Sequence, residues 1–206
     1  GNRIVVGGKY NADDNSDIAA IFVLPTVDAD DTWKKTWEHT GGKRWATLLT
    51  LNEDDVREVG LSASGEHIVL ALENLVQVHD GASGSFKYVL SSIRHIRDLS
   101  FSSDGTRFAV ASALEEKALS IYDVLTGKTV FRKEIKGGSQ RISFSPCDSF
   151  LAIGSANVAD IIKPDTGKVL FVKERKDAKI ETVASSPCGT FFAFGSWGSV
   201  SMEGNG

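Results

Sequence analysis

Cysteine is scarce in this chain, 2 residues in 206, too few for a disulfide framework, and no Asn-x-Ser/Thr sequon occurs. Both absences lean towards a cytoplasmic or nuclear protein. Long apolar runs are missing too. The longest, Ile18 to Leu24, stops at Pro25, far short of the ~20 residues that a membrane-spanning helix needs, so no membrane partner is expected. No basic-then-apolar leader opens the chain, and a secretory leader is not expected. The one methionine is Met202, so the expectation is a processed product or a piece of a longer chain.

An excess of positive charge is also lacking. The net charge is −4, and all of it sits in residues 1–60, which hold 7 Lys+Arg against 11 Asp+Glu. An acidic balance argues against nucleic acid as the main partner. The basic character that does exist is concentrated in two stretches discussed below.

Motifs for chemistry are missing as well. His39, His67, His79 and His95 stand in no HxH or HExxH context, and no Cys-x-x-Cys pair exists, so no zinc spacing is present. No serine lies in a G-x-S-x-G elbow. Acidic loops such as Asp13, Asp14, Asp17 and Asp28, Asp30, Asp31 lack the calcium-loop spacing. Gly127-Lys128-Thr129 imitates the end of a phosphate loop, but Tyr122 stands where the leading glycine belongs and a strand pattern follows. Gly7-Gly8-Lys9 and Gly41-Gly42-Lys43 fail in the same way. The expectation is no enzyme activity, no metal and no cofactor.

What the chain does have is a repeat. LSASG (Leu61–Gly65), FSSDG (Phe101–Gly105), FSPCD (Phe144–Asp148) and SSPCG (Ser185–Gly189) fall 40, 43 and 41 residues apart. Each leads into an apolar run: HIVLAL, RFAVAS, FLAIGS and FFAFGS. The first three continue into VQVHDGASG, LSIYDVLTG and ADIIKPDTG, a third run closed by turn residues. A fourth run follows, as in KTVFRKE (Lys128–Glu134) and KVLFVKERK (Lys168–Lys176).

Four short strands in about 40 residues make a sheet too thin to survive alone, and a period of this length predicts propeller blades stacked face to face. Stacking buries both faces of the second strands, which explains their unbroken apolar runs. Fourth strands should form an exposed edge, where lysine and arginine discourage pairing with other chains. Edge protection is preferred here over an anion site.

The opening residues read as a looser copy. RIVVGG (Arg3–Gly8) has the form of a second strand, IAAIFVLPT of a third and WATLLTL (Trp45–Leu51) of a fourth, with a tryptophan-containing insertion at Asp28–Trp45. The last copy shows two strands. The fold expected is all-β, with four to five blades of four antiparallel strands: residues 1–55, 56–95, 96–138 and 139–179, and a partial blade and tail at 180–206. Both ends offer a second strand, so an excerpt of a larger propeller of six to eight blades is preferred to a closed five-blade ring.

FSSDGTRFAVAS…LSIYDVLTGK resembles the WD-repeat propeller family, whose pattern runs F-S-P-D-G-x-x-L-A-S-G-S … I-x-I-W-D-x-x-T-G-K. The resemblance covers roughly residues 56–198. It departs at the Trp-Asp pair, which is Tyr122-Asp123, His79-Asp80 or Lys163-Pro164-Asp165 here, and the Gly-His pair before the first strand is absent. The hydrogen-bonded Asp-His-Ser/Thr-Trp network of that family is therefore not expected.

The resemblance implies a non-catalytic scaffold that binds other proteins. The alternative is an accessory propeller of a larger enzyme, for example a peptidase. Two features are candidates for partner binding. In the insertion, Asp31 or Thr32 could cap a short helix that sets Trp33 and Trp37 on one face; tryptophans of this kind either pack on the rim or form a hot spot. The second feature is the entry to each first strand, at Arg57, Arg97, Gln140 and Glu181. Cys147 and Cys188 share one turn position in adjacent repeats and read as reduced residues.

Overall fold

Strand after strand, the chain turns back on itself in short antiparallel hairpins. The computed structural model describes residues 3–9, 17–23, 45–51, 56–113, 117–135, 139–175 and 178–197. Among the described residues there are seventeen strands and no helix. Trp33, Trp37 and the insertion around them lie outside the described residues. Contacts divide the chain into two units, Gly1–Ile96 and Arg97–Gly206.

The first unit holds a three-stranded sheet of β1 (Arg3–Lys9), β2 (Asp17–Val23) and β3 (Trp45–Leu51). It also holds a four-stranded sheet of β4 (Val56–Leu61), β5 (His67–Leu72), β6 (Val76–Asp80) and β7 (Phe86–Leu90). The second unit has β8 (Ile96–Phe101) with β9 (Arg107–Ser112), β10 (Ala118–Asp123) and β11 (Thr129–Glu134). A further sheet follows from β12 (Ser139–Phe144), β13 (Leu151–Ser155), β14 (Val158–Ile162) and β15 (Val169–Glu174). Two strands, β16 (Lys179–Ser185) and β17 (Phe192–Trp197), make the last sheet. In every four-stranded sheet the spatial order follows the chain order.

Burial tracks strand position. All six residues of β5 are buried, as are all five of β13, while β11 and β15 on the outer edge are mostly exposed. Each fully buried Ile or Leu contributes about 1.5–3 kcal/mol relative to exposure. In the second unit Leu119, Ile121, Ile142, Leu151, Ile153 and Ile162 form one core between adjacent sheets, with Phe131 packed on it. In the first, Ile68, Leu70 and Leu72 gather Val56, Val59 and Leu61. Gly154 on β13 lets the last sheet approach: a Cβ there would lie 2.5 Å from Ile180 Cγ2 and 2.9 Å from Val183 Cγ2.

The shared serine of the repeat has a mechanical role. Ser62, Ser102, Ser145 and Ser186 each accept, through Oγ, the backbone N–H five residues on, at 3.0–3.1 Å (His67, Arg107, Phe150, Phe191). Each also pairs backbone to backbone with that residue. The hydroxyl thus closes every first-to-second-strand turn. At the next turn but one an aspartate does similar work. Asp80 Oδ1 accepts from the backbone N–H groups of Ala82 and Ser83, and Asp123 Oδ1 from Thr126 N–H and hydroxyl. These donors hold both carboxyls well below the usual carboxylate range, the Ser83 N–H leading for Asp80 and the Thr126 hydroxyl for Asp123.

Register shifts recur at fixed places. Between third and fourth strands, one residue is extra in each outer strand: Lys87 in β7, Val130 in β11 and Leu170 in β15. The pair β2–β3 carries the same shift, with Ala46 extra in β3. By this mark β1, β2 and β3 correspond to second, third and fourth strands of a complete sheet. A bulge at a fixed position bends and twists each outer strand alike.

Candidate functional site

The first strands β4, β8, β12 and β16 are edge members of their sheets, and three of them carry a second recurring bulge. The register steps from Val56↔Leu72 to Glu58↔Ala71, from Ser139↔Ser155 to Arg141↔Gly154, and from Ile180↔Ser196 to Thr182↔Gly195. The extra residues are Arg57, Gln140 and Glu181. An extra residue of this kind bends the strand locally and increases its twist. Arg97, exposed, stands at the equivalent entry of β8. Three of the four entry positions, Arg57, Gln140 and Glu181, are thus extra residues of the ladder, and in the second unit Arg97, Gln140 and Glu181 enter three consecutive sheets.

Their surroundings are charged. Arg57 holds Glu73 through Nε at 2.6 Å and through Nη2, and His95 Nδ1 lies 3.4 Å from the same carboxylate. The guanidinium keeps Glu73 below its ordinary range. Arg141 Nη1 donates to the Arg97 carbonyl at 2.7 Å. Glu181 pairs with Lys179 at 2.7 Å, and that ammonium, with Arg141 a lesser contributor, lowers its carboxyl.

Residues that sequence reading passed over lace the second unit's first strands together. Asp98, buried on β8, accepts the Ile142 N–H of β12 at 2.6 Å through one oxygen and its neighbour Leu99 N–H at 2.9 Å through the other. Two residues on, Ser100 Oγ accepts the Phe144 N–H at 3.1 Å. Ser185 Oγ on β16 in turn donates to the Phe144 carbonyl at 2.8 Å. An edge strand exposes a row of unmatched N–H and C=O groups; on β12 side chains of the two adjoining sheets take them up. The turns interlock likewise. Asp148, at φ 56°, sits where other repeats have glycine, and its carboxylate accepts Ser103 and Asp104 N–H at 2.6 and 2.9 Å.

His79, where the WD pattern has tryptophan, is buried, with Nδ1 3.0 Å from the Gly84 carbonyl and Nε2 3.1 Å from Gln77 Oε1. Burial pushes its pKa down. Tyr122, at the same place in the next repeat, stacks on Phe108 at 5.4 Å. Among the described residues no group of three or more His, Cys, Asp or Glu could hold a metal ion.

Cys147 and Cys188 are free and exposed. Hydrogen bonds from Ser186, then Thr190, pull the Cys188 thiol down to about 7, and Ser145 lowers Cys147. Since the thiolate is the nucleophile, alkylation of Cys188 by iodoacetamide should rise with pH and reach half its limiting rate near about pH 7. An ordinary thiol does so near about 8.5. Peptide mapping after timed quenching reads the rate, and a midpoint at the ordinary value would contradict the turn geometry.

No protein-family model matches the chain. No curated protein matches it. Solved structures do match, 1349 chains of them, so the architecture is a common one and cannot by itself select a function. One is hydrazine synthase of Kuenenia stuttgartiensis, a β-propeller-containing protein, at 15% identity and TM-score 0.62, over 68% of this chain and 41% of that one. This chain thus spans less than half of that protein's length. At such identity the likeness concerns the fold alone. With four-stranded antiparallel sheets repeating along the chain, the fold is all-β and its sheets are of the β-propeller blade type.

Proposed function

We propose that this protein is a non-catalytic propeller platform of WD-repeat type that binds other proteins through its first-strand entries, with Trp33 and Trp37 as a second contact. The observation that carries the reading is the repeated bulge at Arg57, Gln140 and Glu181. The ladder fixes each position, and the residue type at it differs from blade to blade. Variable contacts on a fixed frame suit selective protein binding and demand no chemistry. The cytoplasm or nucleus is the compartment that suits two exposed reduced cysteines.

The test is affinity capture with the intact chain beside two variants, Arg97→Ala/Glu181→Ala and Trp33→Ala/Trp37→Ala. Removing an interface hot spot costs about 2 kcal/mol or more, so at least one variant should lose a partner about 30-fold while its melting temperature stays within about 2 °C. Partners unchanged in both would refute the platform reading. A second reading, an accessory propeller of a larger enzyme, draws support from one observation: the named match is a synthase of which this chain covers 41%. Further sequence of the same gene encoding a catalytic domain would favour it.

A further inference from the structure

One end of the β4–β7 sheet carries a charged contact that crosses three strands. His67 opens β5, Asp80 closes β6 and is its register partner, and Lys87 is the extra residue of β7. The Lys87 ammonium lies 3.3 Å from His67 Nδ1 and 3.3 Å from Asp80 Oδ2. Among the described residues β7 pairs with β6 alone in the ladder, so through this side chain the outer strand also reaches β5. The combination belongs to this sheet. In the other two complete sheets the extra residue is Val130 or Leu170, and Arg107 or Phe150 stands at the place of His67.

The contact fixes the charge state of the ring. An ammonium has hydrogens to give and no lone pair. It can bond Nδ1 only while that nitrogen carries the lone pair, with the ring neutral and its hydrogen on Nε2. A second proton would set imidazolium and ammonium side by side. Burial first, then Lys87, push the His67 pKa down against Glu66 and Asp80, which raise it; these are the charged groups acting on the ring among the described residues. Asp80 keeps its own charge at mildly acid pH, since the Ser83 and Ala82 N–H groups hold its carboxyl far below the usual range. His79, the other buried histidine of the sheet, differs. Its Nδ1 faces the Gly84 carbonyl at 3.0 Å, an acceptor that a protonated ring satisfies as well as a neutral one.

We propose that His67, Lys87 and Asp80 form an acid-sensitive clasp for the outer strand β7. At neutral pH the imidazole and the carboxylate share the Lys87 ammonium. On acidification the imidazolium takes the Asp80 carboxylate for itself. Lys87 is 34% exposed, so its ammonium has water to move into, and β7 is left with its ladder bonds. The unfolded chain takes up the histidine proton at the ordinary value and the folded sheet only at lower pH. The clasp is therefore complete above about pH 6.5 and is lost as pH falls through the folded value.

Hydrogen exchange of the β7 amides bonded to β6, corrected for the intrinsic pH dependence of exchange, reads the clasp. Between about pH 7.5 and about pH 5 their protection should fall, by at most about tenfold per pH unit, the limit for one proton. In His67→Gln the side-chain oxygen accepts from Lys87 at every pH, so protection should stay within about twofold of the neutral-pH parent throughout. In Lys87→Met, an apolar residue where the other sheets carry Val130 and Leu170, protection should lie about fivefold below the neutral-pH parent and stay flat with pH. Parental protection that does not change over the range overturns the proposal. So does a His67→Gln chain that loses protection as the parent does, which would place the titration at another group, or a Lys87→Met chain with the parental profile.

Discussion

Replacing Asp98 with alanine should destabilise the second unit by about 3 kcal/mol, the scale for a buried charged acceptor removed from its donors. Its two oxygens serve Ile142 and Leu99 N–H at 2.6 and 2.9 Å, and the Ile142 amide belongs to another sheet, 44 residues away. Without the carboxylate that buried N–H faces apolar core instead of water. At roughly 2–4 °C per kcal/mol for chains of this size, the melting temperature should fall about 6–12 °C. Asp98→Asn keeps one acceptor oxygen and two donor hydrogens, so it should recover part of the loss. Ser100→Ala should cost less, about 1 kcal/mol, since a neutral hydroxyl at 3.1 Å is the weaker acceptor. Thermal denaturation by circular dichroism measures all three. An Asp98→Ala chain as stable as the parent would show that sheet packing alone holds β12 to β8.

That distance in sequence explains what could be read in advance and what could not. The second-strand runs, the Ser62/Ser102/Ser145/Ser186 turn and the Asp80/Asp123 turn all act within about five residues, so a repeat pattern displays them. The edge role of KTVFRKE was legible for the same reason: charge on one short run. Contacts between repeats were hidden, because a repeat tells which residues are equivalent and not which ones touch. Asp98 and Ser100 look like ordinary polar residues of an alternating strand. Asp148 gave one clue, standing where glycine stands in three other turns; its positive φ is held by the two amides it accepts. The entries at Arg57, Gln140 and Glu181 were legible as positions, but the bulges that set them apart are a matter of register. Trp33 and Trp37 fall outside the described residues. His79 was legible only as a departure from a pattern, and its ring bonds to Gly84 and Gln77 came from the structure.

The second large effect is expected at Gly81. Alanine there should cost the first unit about 3 kcal/mol or more, the upper end for overpacking. A Cβ would lie 2.0 Å from the Gly65 carbonyl oxygen and 2.8 Å from the Glu66 carbonyl carbon. Both atoms are backbone, so no side chain can rotate aside. Neither turn can easily retreat. Gly65, at φ 75°, is tied to Ser62 by its N–H at 2.8 Å, and Gly81 itself donates to the Glu66 carbonyl at 2.7 Å. On the other side Asp80 binds the Ala82 and Ser83 amides. The corresponding bond in the next sheet, Val124 N–H to the Thr106 carbonyl at 2.9 Å, is made by a residue with a full side chain. Glycine is therefore required by the closeness of these two turns and not by the repeat. Urea titration should show a lower midpoint at unchanged slope for Gly81→Ala, while Ser64→Ala, exposed in the same turn, should stay within about 0.5 kcal/mol. A Gly81→Ala chain with the parental midpoint would mean that the turns slide apart at little cost, and that the first-to-second-strand turn is not the fixed point on which the β4–β7 sheet is built.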